Sequence, residues 1–185
     1  MPSNTQLSHV LLLTGSPGIG KTTVIRKVAS EIKRQHCIRL GGFVTEEIRQ
    51  GEQRLGFRLV TFGNEHATMA HVSFDHPHRV GKYGVDVALI DRFSESTIRI
   101  SADVDVYIID EIGKMECMSL QFVTQVQKLL NSNKPVVATV AKHGGGLMES
   151  VKHWPASDLW EVTHTNRDGL PNRVMQWLHS RLSTH

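Results

Sequence analysis

Val10-Leu11-Leu12-Leu13-Thr14-Gly15-Ser16-Pro17-Gly18-Ile19-Gly20-Lys21-Thr22-Thr23 is the stretch that decides the fold. Its second half fits Gly-x-x-x-x-Gly-Lys-Ser/Thr, and its first half is an unbroken apolar run that reads as a buried strand. A glycine-rich loop between such a strand and a helix is a phosphate cradle. Gly15, Gly18 and Gly20 let the backbone curl so that successive N–H groups point at phosphate oxygens with no Cβ in the way. Lys21 adds a mobile charge for the β- and γ-phosphates, and the Thr22 hydroxyl is set to ligate Mg²⁺ at the start of the next helix, where unpaired N–H groups face the anion. Gly15, Ser16, Pro17, Gly18, Ile19, Gly20, Lys21, Thr22 and Thr23 are therefore the expected nucleotide-contacting set.

Outward from the loop, strands and helices alternate. Val24, Ile25, Val28, Ala29 and Ile32 recur at helical spacing, with basic residues between them. Gly41 to Thr45, a turn at Arg49 to Glu52, and Leu55 to Phe62 predict strand, turn, strand. Gly63 to Gly84 is rich in Gly, Pro and His and predicts an irregular excursion with a short strand near Thr68 to Val72. A helix is expected within Asp86 to Ile100 and a buried strand over Val104 to Ile109. A second helix follows over Leu120 to Leu130, then a strand over Pro135 to Val140. Lys142 to Gly146 reads as a glycine-rich loop, Leu159 to Thr163 as a last strand and Leu170 to Leu182 as a terminal helix. The pattern predicts one α/β domain over residues 1–185, a three-layer P-loop fold in which a mostly parallel sheet is flanked by helices, with ligands at the carboxyl ends of the strands.

The strand at Tyr107-Ile108-Ile109 ends in Asp110-Glu111. An acidic residue delivered beside the phosphate loop is what magnesium requires, so Asp110 joins Thr22 as an expected metal ligand. Glu111, one residue on, suits a group that orients the water attacking the γ-phosphate. Charge developing on the γ-phosphoryl oxygens calls for a further cation. Lys114 ranks first, with Arg49, Arg54, Arg79 or a partner chain as alternatives. One of Thr45, Glu46 and Glu47 is placed to order metal-bound water. Asn166 and Arg167 follow the last strand, where Arg167 can stack on a base and Asn166 bond its edge, or else cap a turn. No base-selecting motif accompanies them, so broad base tolerance is expected.

These motifs carry a resemblance. Asp110-Glu111-Ile112-Gly113-Lys114-Met115-Glu116 resembles the DEIGKME signature of the small nucleoside-triphosphatase family that includes the cancer-related nucleoside triphosphatase of animals and its bacterial and archaeal relatives. Gly42 to Gly51 with Arg54-Leu55-Gly56-Phe57, Arg79-Val80-Gly81-Lys82-Tyr83, and Thr163 with Asn166-Arg167 and Leu170-Pro171 are similar to three further blocks of that family, in the same order. Lys142 to Pro155 has no counterpart in the pattern. The resemblance implies a RecA-like or kinase-like P-loop fold and slow magnesium-dependent hydrolysis of ATP, GTP and other nucleoside triphosphates. It also implies that Lys21, Thr22, Asp110, Glu111 and Lys114 matter for turnover. A kinase acting on a small molecule or polynucleotide, or a nucleotide-dependent switch, uses the same loop and stands as the alternative.

Composition bounds the rest. The 185 residues carry 21 Lys plus Arg against 18 Asp plus Glu, and the basic residues are scattered. Without a basic cluster interleaved with aromatics, a nucleic-acid partner is not expected. Cys37 and Cys117 form neither a disulfide framework nor a zinc motif, which suggests a reducing compartment. The 11 histidines, including His71, His76, His78, His164, His179 and His185, read as solvated loop residues. Met1 to His9 lacks the plan of a signal peptide, and no apolar run approaches the ~18 residues of a membrane span. A cytoplasmic enzyme with no membrane partner is the expectation, and the sequence is silent on oligomeric state.

Overall fold

The computed structural model describes residues 8–183, so the polar start before Ser8, and His185, lie outside the described residues. Nine strands and five α-helices follow in the order β1 (Val10–Thr14), α1 (Lys21–Gln35), β2 (Leu40–Gln50), β3 (Gln53–Thr61), β4 (His66–His71), β5 (Arg79–Val80), β6 (Tyr83–Val85), α2 (Val87–Thr97), β7 (Val106–Ile112), α3 (Leu120–Leu130), β8 (Val136–Val140), α4 (Leu147–Ser150), β9 (Ser157–Glu161) and α5 (Leu170–Leu182), counted among the described residues. All nine strands form one sheet in the order β5-β6-β4-β3-β2-β7-β8-β1-β9. No helix among the described residues is long and apolar enough to cross a membrane.

The sheet has two halves. From β2 through β7, β8 and β1 to β9 every pairing is parallel. From β2 outward through β3, β4, β6 and β5 every pairing is antiparallel. The mostly parallel sheet read from the sequence is thus one half of a mixed sheet, the half that carries the loop from Gly15 to Thr22. The segment expected to be irregular supplies three short strands of the other half.

Alternate residues of each parallel strand enter opposite cores. Val10, Leu12, Tyr107, Ile109, Val136 and Ala138 pack under α2 and α3, while Leu11, Leu13, Val106, Ile108 and Val137 pack under α1 and α5. All are 0% exposed. Burying each such side chain contributes roughly 1.5–3 kcal/mol, which is why continuous aliphatic runs mark these strands. Two helix starts are fixed by side chains: Asp86 accepts from Leu89 N at α2, and Ser119 accepts from Phe122 N at α3. The last strand lies two residues earlier than expected. Register explains it, because β9 pairs with β1 from Val10↔Ser157 to Thr14↔Glu161 and ends where β1 ends.

Candidate active site

The phosphate loop needs its glycines for separate reasons. Gly15 has φ +149° and a Cβ there would stand 2.7 Å from the Val162 carbonyl oxygen, so the loop closes against the segment after β9 only because the side chain is absent. Gly18 and Gly20 have φ +74° and +111°, in the region L side chains avoid. Ser16, Pro17 and Gly18 form the exposed rim, Ile19 is buried beneath it, and Thr23 is exposed on the first turn of α1. That turn holds no acidic residue, and no side chain caps it. Its N–H groups and partial positive charge are left for an anion. Lys21 is buried and donates to the Gly15 carbonyl at 3.2 Å, folded back over its own loop.

Asp110 arrives on β7 next to this loop. Thr139 of β8 donates its hydroxyl to Asp110 Oδ1 at 2.6 Å, and the Thr45 hydroxyl of β2 donates to the Asp110 main-chain carbonyl. Oδ2 is buried with no hydrogen-bond partner among the described residues. Thr22 is close enough to favour the charged carboxylate, yet its hydroxyl does not complete a bond to Oδ2. Burial raises the Asp110 pKa above the carboxylate range, while Thr139, Thr22, Thr45 and the Lys21 charge act against the rise. Burial likewise raises Glu111, with Lys21 opposing and the Asp110 charge adding. An orphaned carboxylate oxygen beside a threonine hydroxyl is an all-oxygen donor set that fits a hard divalent cation.

The other charged residues separate into free and engaged. Arg49 and Arg54 both pair with Glu47, at 2.6 and 2.7 Å. Glu46 pairs with Arg26 and Arg58. Although burial alone would raise its pKa, the bonds and charges of Arg58 and Arg26 bring Glu46 below the usual range. Among the described residues, Arg79 donates to the carbonyls of Phe74 and Lys82. Lys114 is exposed. It shares with Arg79 a cleft of about 590 Å³ whose walls include Val80, Met118, Val123 and Met148. Arg49 and Arg54 are thereby occupied by Glu47, whereas Lys114 and Arg79 line one cleft.

Beyond β9, Arg167 donates to the Ile19 carbonyl at 3.3 Å, and its Cδ would lie 3.7 Å from a Cβ on Gly20. It therefore sits over the phosphate loop. Asn166 has both ends engaged: its Nδ2 donates to Glu161 O and its Oδ1 accepts from Thr163 N. It holds the turn, which was the second of the two roles open to it.

Thr139 and Glu116 were not singled out by sequence reasoning. Thr139 is the lone polar residue in the buried strand VVATV, and that contrast is the signal that could have found it. Glu116 is buried, and burial raises its pKa to about 8, with the Glu111 and Asp110 charges adding to the rise. Its neighbour Cys117 is pushed up to about 12, first by burial and then by the Glu116 charge. The larger cavity, about 860 Å³, is far from this chemistry: it lies at the amino ends of β2, β7 and β8, lined by residues such as Cys37, Ile38, Arg39 and Pro135.

A family profile described as NTPase matches residues 10–175. The nucleoside-triphosphatase THEP1 of Thermotoga maritima is 36% identical over 169 residues, 91% of this chain and 94% of that protein. Its namesake from Methanocaldococcus jannaschii is 35% identical over 167 residues, 89% and 94% of the two chains. Among solved structures, THEP1 from Aquifex aeolicus superposes with a TM-score of 0.80 at 30% identity, covering 91% of this chain and 98% of that one. A human cancer-related nucleoside triphosphatase gives 0.78 at 33% identity, covering 92% and 97%. With the profile spanning both the phosphate loop and the Asp110-Glu111 strand, the chain belongs to the NTPase family.

Proposed function

We propose that the protein hydrolyses nucleoside 5'-triphosphates to diphosphate and phosphate, with Mg²⁺ and little selectivity among bases. The observation that carries this reading is the buried, unpartnered Asp110 Oδ2, whose carboxylate is held by Thr139 at the end of β7, together with a glycine-rich loop that opens α1 with no capping side chain and no acid in its first turn. The N–H groups of Gly15 to Thr22 receive the phosphate oxygens, and Lys21 exchanges the Gly15 carbonyl for the β- and γ-phosphates. Asp110 Oδ2 and the Thr22 hydroxyl would hold Mg²⁺, which when bound neutralises charge on the β- and γ-phosphoryl oxygens. Glu111 accepts a hydrogen bond from the attacking water and takes its proton as the new oxygen–phosphorus bond forms. The bond from the γ-phosphorus to the bridging oxygen breaks, and its electron pair leaves on the diphosphate. Partial burial of Glu111 makes it a better proton acceptor than a solvated carboxylate. Lys114 meets the developing charge in cis, with Arg79 next in rank.

Base tolerance rests on Arg167 as a stacking surface beside the loop, since the Asn166 amide is tied to the Glu161 carbonyl and the Thr163 N–H and so is held to its own turn. The two free cysteines accord with a reducing, cytoplasmic setting. Phosphoryl transfer to an alcohol is the second reading. The cleft beside Lys114 and Arg79, with its apolar walls, is of a size to admit an acceptor. Phosphate release from ATP, GTP, CTP and UTP with Mg²⁺ and no acceptor separates the two. Wild type should release phosphate from all four at rates within about a hundredfold, and Glu111→Gln should lose on the order of 10²-fold or more while still binding nucleotide. Tight binding without release would favour the kinase. Release by Glu111→Gln at the wild-type rate would remove Glu111 from the chemistry.

A further inference from the structure

Glu116 is a buried acid that the hydrolysis outlined above leaves unused. It opens the short turn Glu116–Met118, which follows β7, and is 4% exposed among Met115, Cys117 and Met118. Cys117 N donates to Gly113 O at 3.0 Å, and Ser119 N to Glu116 O at 3.1 Å, which closes the turn. Ser119 also donates its hydroxyl to Asp91 of α2. The turn is thus anchored at both ends, and its acid points inward.

Gly113 lies between the two glutamates. A Cβ at Gly113 would stand 2.8 Å from Glu116 Oε2 and 3.6 Å from Glu111 Oε1. Both carboxyl groups therefore converge on the space that the missing side chain leaves free. Burial keeps Glu116 in its neutral form near pH 7, while the backbone N–H groups of Glu116 and Gly113 act in the opposite sense. A neutral carboxyl group has one O–H to give, and a carboxylate beside it is the natural acceptor.

We infer that Glu116 is a positioning residue for Glu111: packed across Gly113, its carboxyl group fixes where the Glu111 carboxylate meets the attacking water. The inference rests on the reading of Glu111 as the group that orients that water. A glutamate side chain has several rotatable bonds, and a base that wanders by an ångström loses much of its effect, so a rigid neighbour is worth having.

The test is steady-state phosphate release from ATP by Glu116→Ala, Glu116→Gln and Gly113→Ala, with Glu116→Ala also built into the Glu111→Gln background. Glu116→Ala should lower kcat on the order of 10–100-fold with KM and nucleotide affinity nearly unchanged, since only alignment in the transition state is lost. Glu116→Gln, which keeps the shape and a donor, should restore most of kcat. Gly113→Ala, which keeps both acids but fills their shared space, should fall with Glu116→Ala. In the Glu111→Gln background, Glu116→Ala should cost nothing further. Full kcat in Glu116→Ala, a loss that adds in full to that of Glu111→Gln, or a raised KM at unchanged kcat would each overturn the inference. If Glu116→Ala fails to fold, Glu116→Gln and Gly113→Ala still decide: activity retained by the first and lost by the second supports it, and any other pairing sinks it. Failure of the parent reading looks different, because Glu111→Gln would then itself hydrolyse ATP at the wild-type rate.

Discussion

At Asp110 the two oxygens of one carboxylate have different fates. Oδ1 is held by Thr139, while Oδ2 faces Thr22 without a donor. The first arrangement orients the group, and the second leaves it a lone pair to offer. Thr139→Val keeps the volume but strips Oδ1 of its donor, so a buried carboxylate loses a bond of roughly 1–3 kcal/mol. The Mg²⁺ concentration for half-maximal phosphate release should rise roughly 10–100-fold, the usual cost of removing a group that holds a metal ligand in place. An unchanged Mg²⁺ requirement would argue that the cation is held elsewhere. At this scale the sequence was most legible where a motif fixes a position, as it puts Lys21 at the head of α1 and Asp110 and Glu111 near the end of β7. It was least legible where a side chain acts through its neighbour. Nothing in a lone threonine or in Glu116 says which carboxylate it will touch until strand register and turn geometry bring them together.

Ser119 links two elements to the site. Its hydroxyl accepts from Phe122 N at the start of α3 and donates to Asp91 of α2. Ser119→Ala removes both bonds, and the loss of the cap alone should lower stability by about 1–2 kcal/mol, or roughly 2–8 °C in Tm for a chain of this size. A thermal melt within a degree of wild type would mean that the α2–α3 contact holds the turn without the serine. The helices and the parallel strands could be read from periodicity because burial on one face, or on two, forces it. The edges could not. β4 and β6 pair through backbone hydrogen bonds with few aliphatic side chains, so His66 to His71 and Tyr83 to Val85 carry little periodic signal. β9 begins with Ser157-Asp158, polar enough on its open side to hide a strand whose limits are set by β1. The short helix α4 lies in the part of the chain where no family pattern could be matched, just after three glycines.

Taken whole, the molecule gathers the candidate site at the carboxyl ends of the parallel strands, and the antiparallel strands extend the sheet to the far side of β2. A ligand that binds only the folded state stabilises it by about 2.7 kcal/mol at a hundred times its Kd. For a domain of this length that is a Tm rise of roughly 5–10 °C. ATP should produce such a rise in wild type, and Lys21→Ala should lose most of it because a buried cation facing the phosphates has gone. An equal rise in the variant would place nucleotide outside the loop, with the 860 Å³ cavity at the opposite end of the sheet as the next place to look.

The two thiols sit in contrasting surroundings. Cys117 lines the cleft beside Lys114 and is held protonated far above neutral pH, whereas Cys37 is exposed and lines the cavity at the other end of the molecule. Alkylating reagents attack the thiolate, so the chain comes with a built-in asymmetry between its two sulfur atoms. A fluorophore or spin label added at neutral pH goes to Cys37 without mutagenesis, remote from the phosphate loop. The cleft thiol, Cys117, stays untouched.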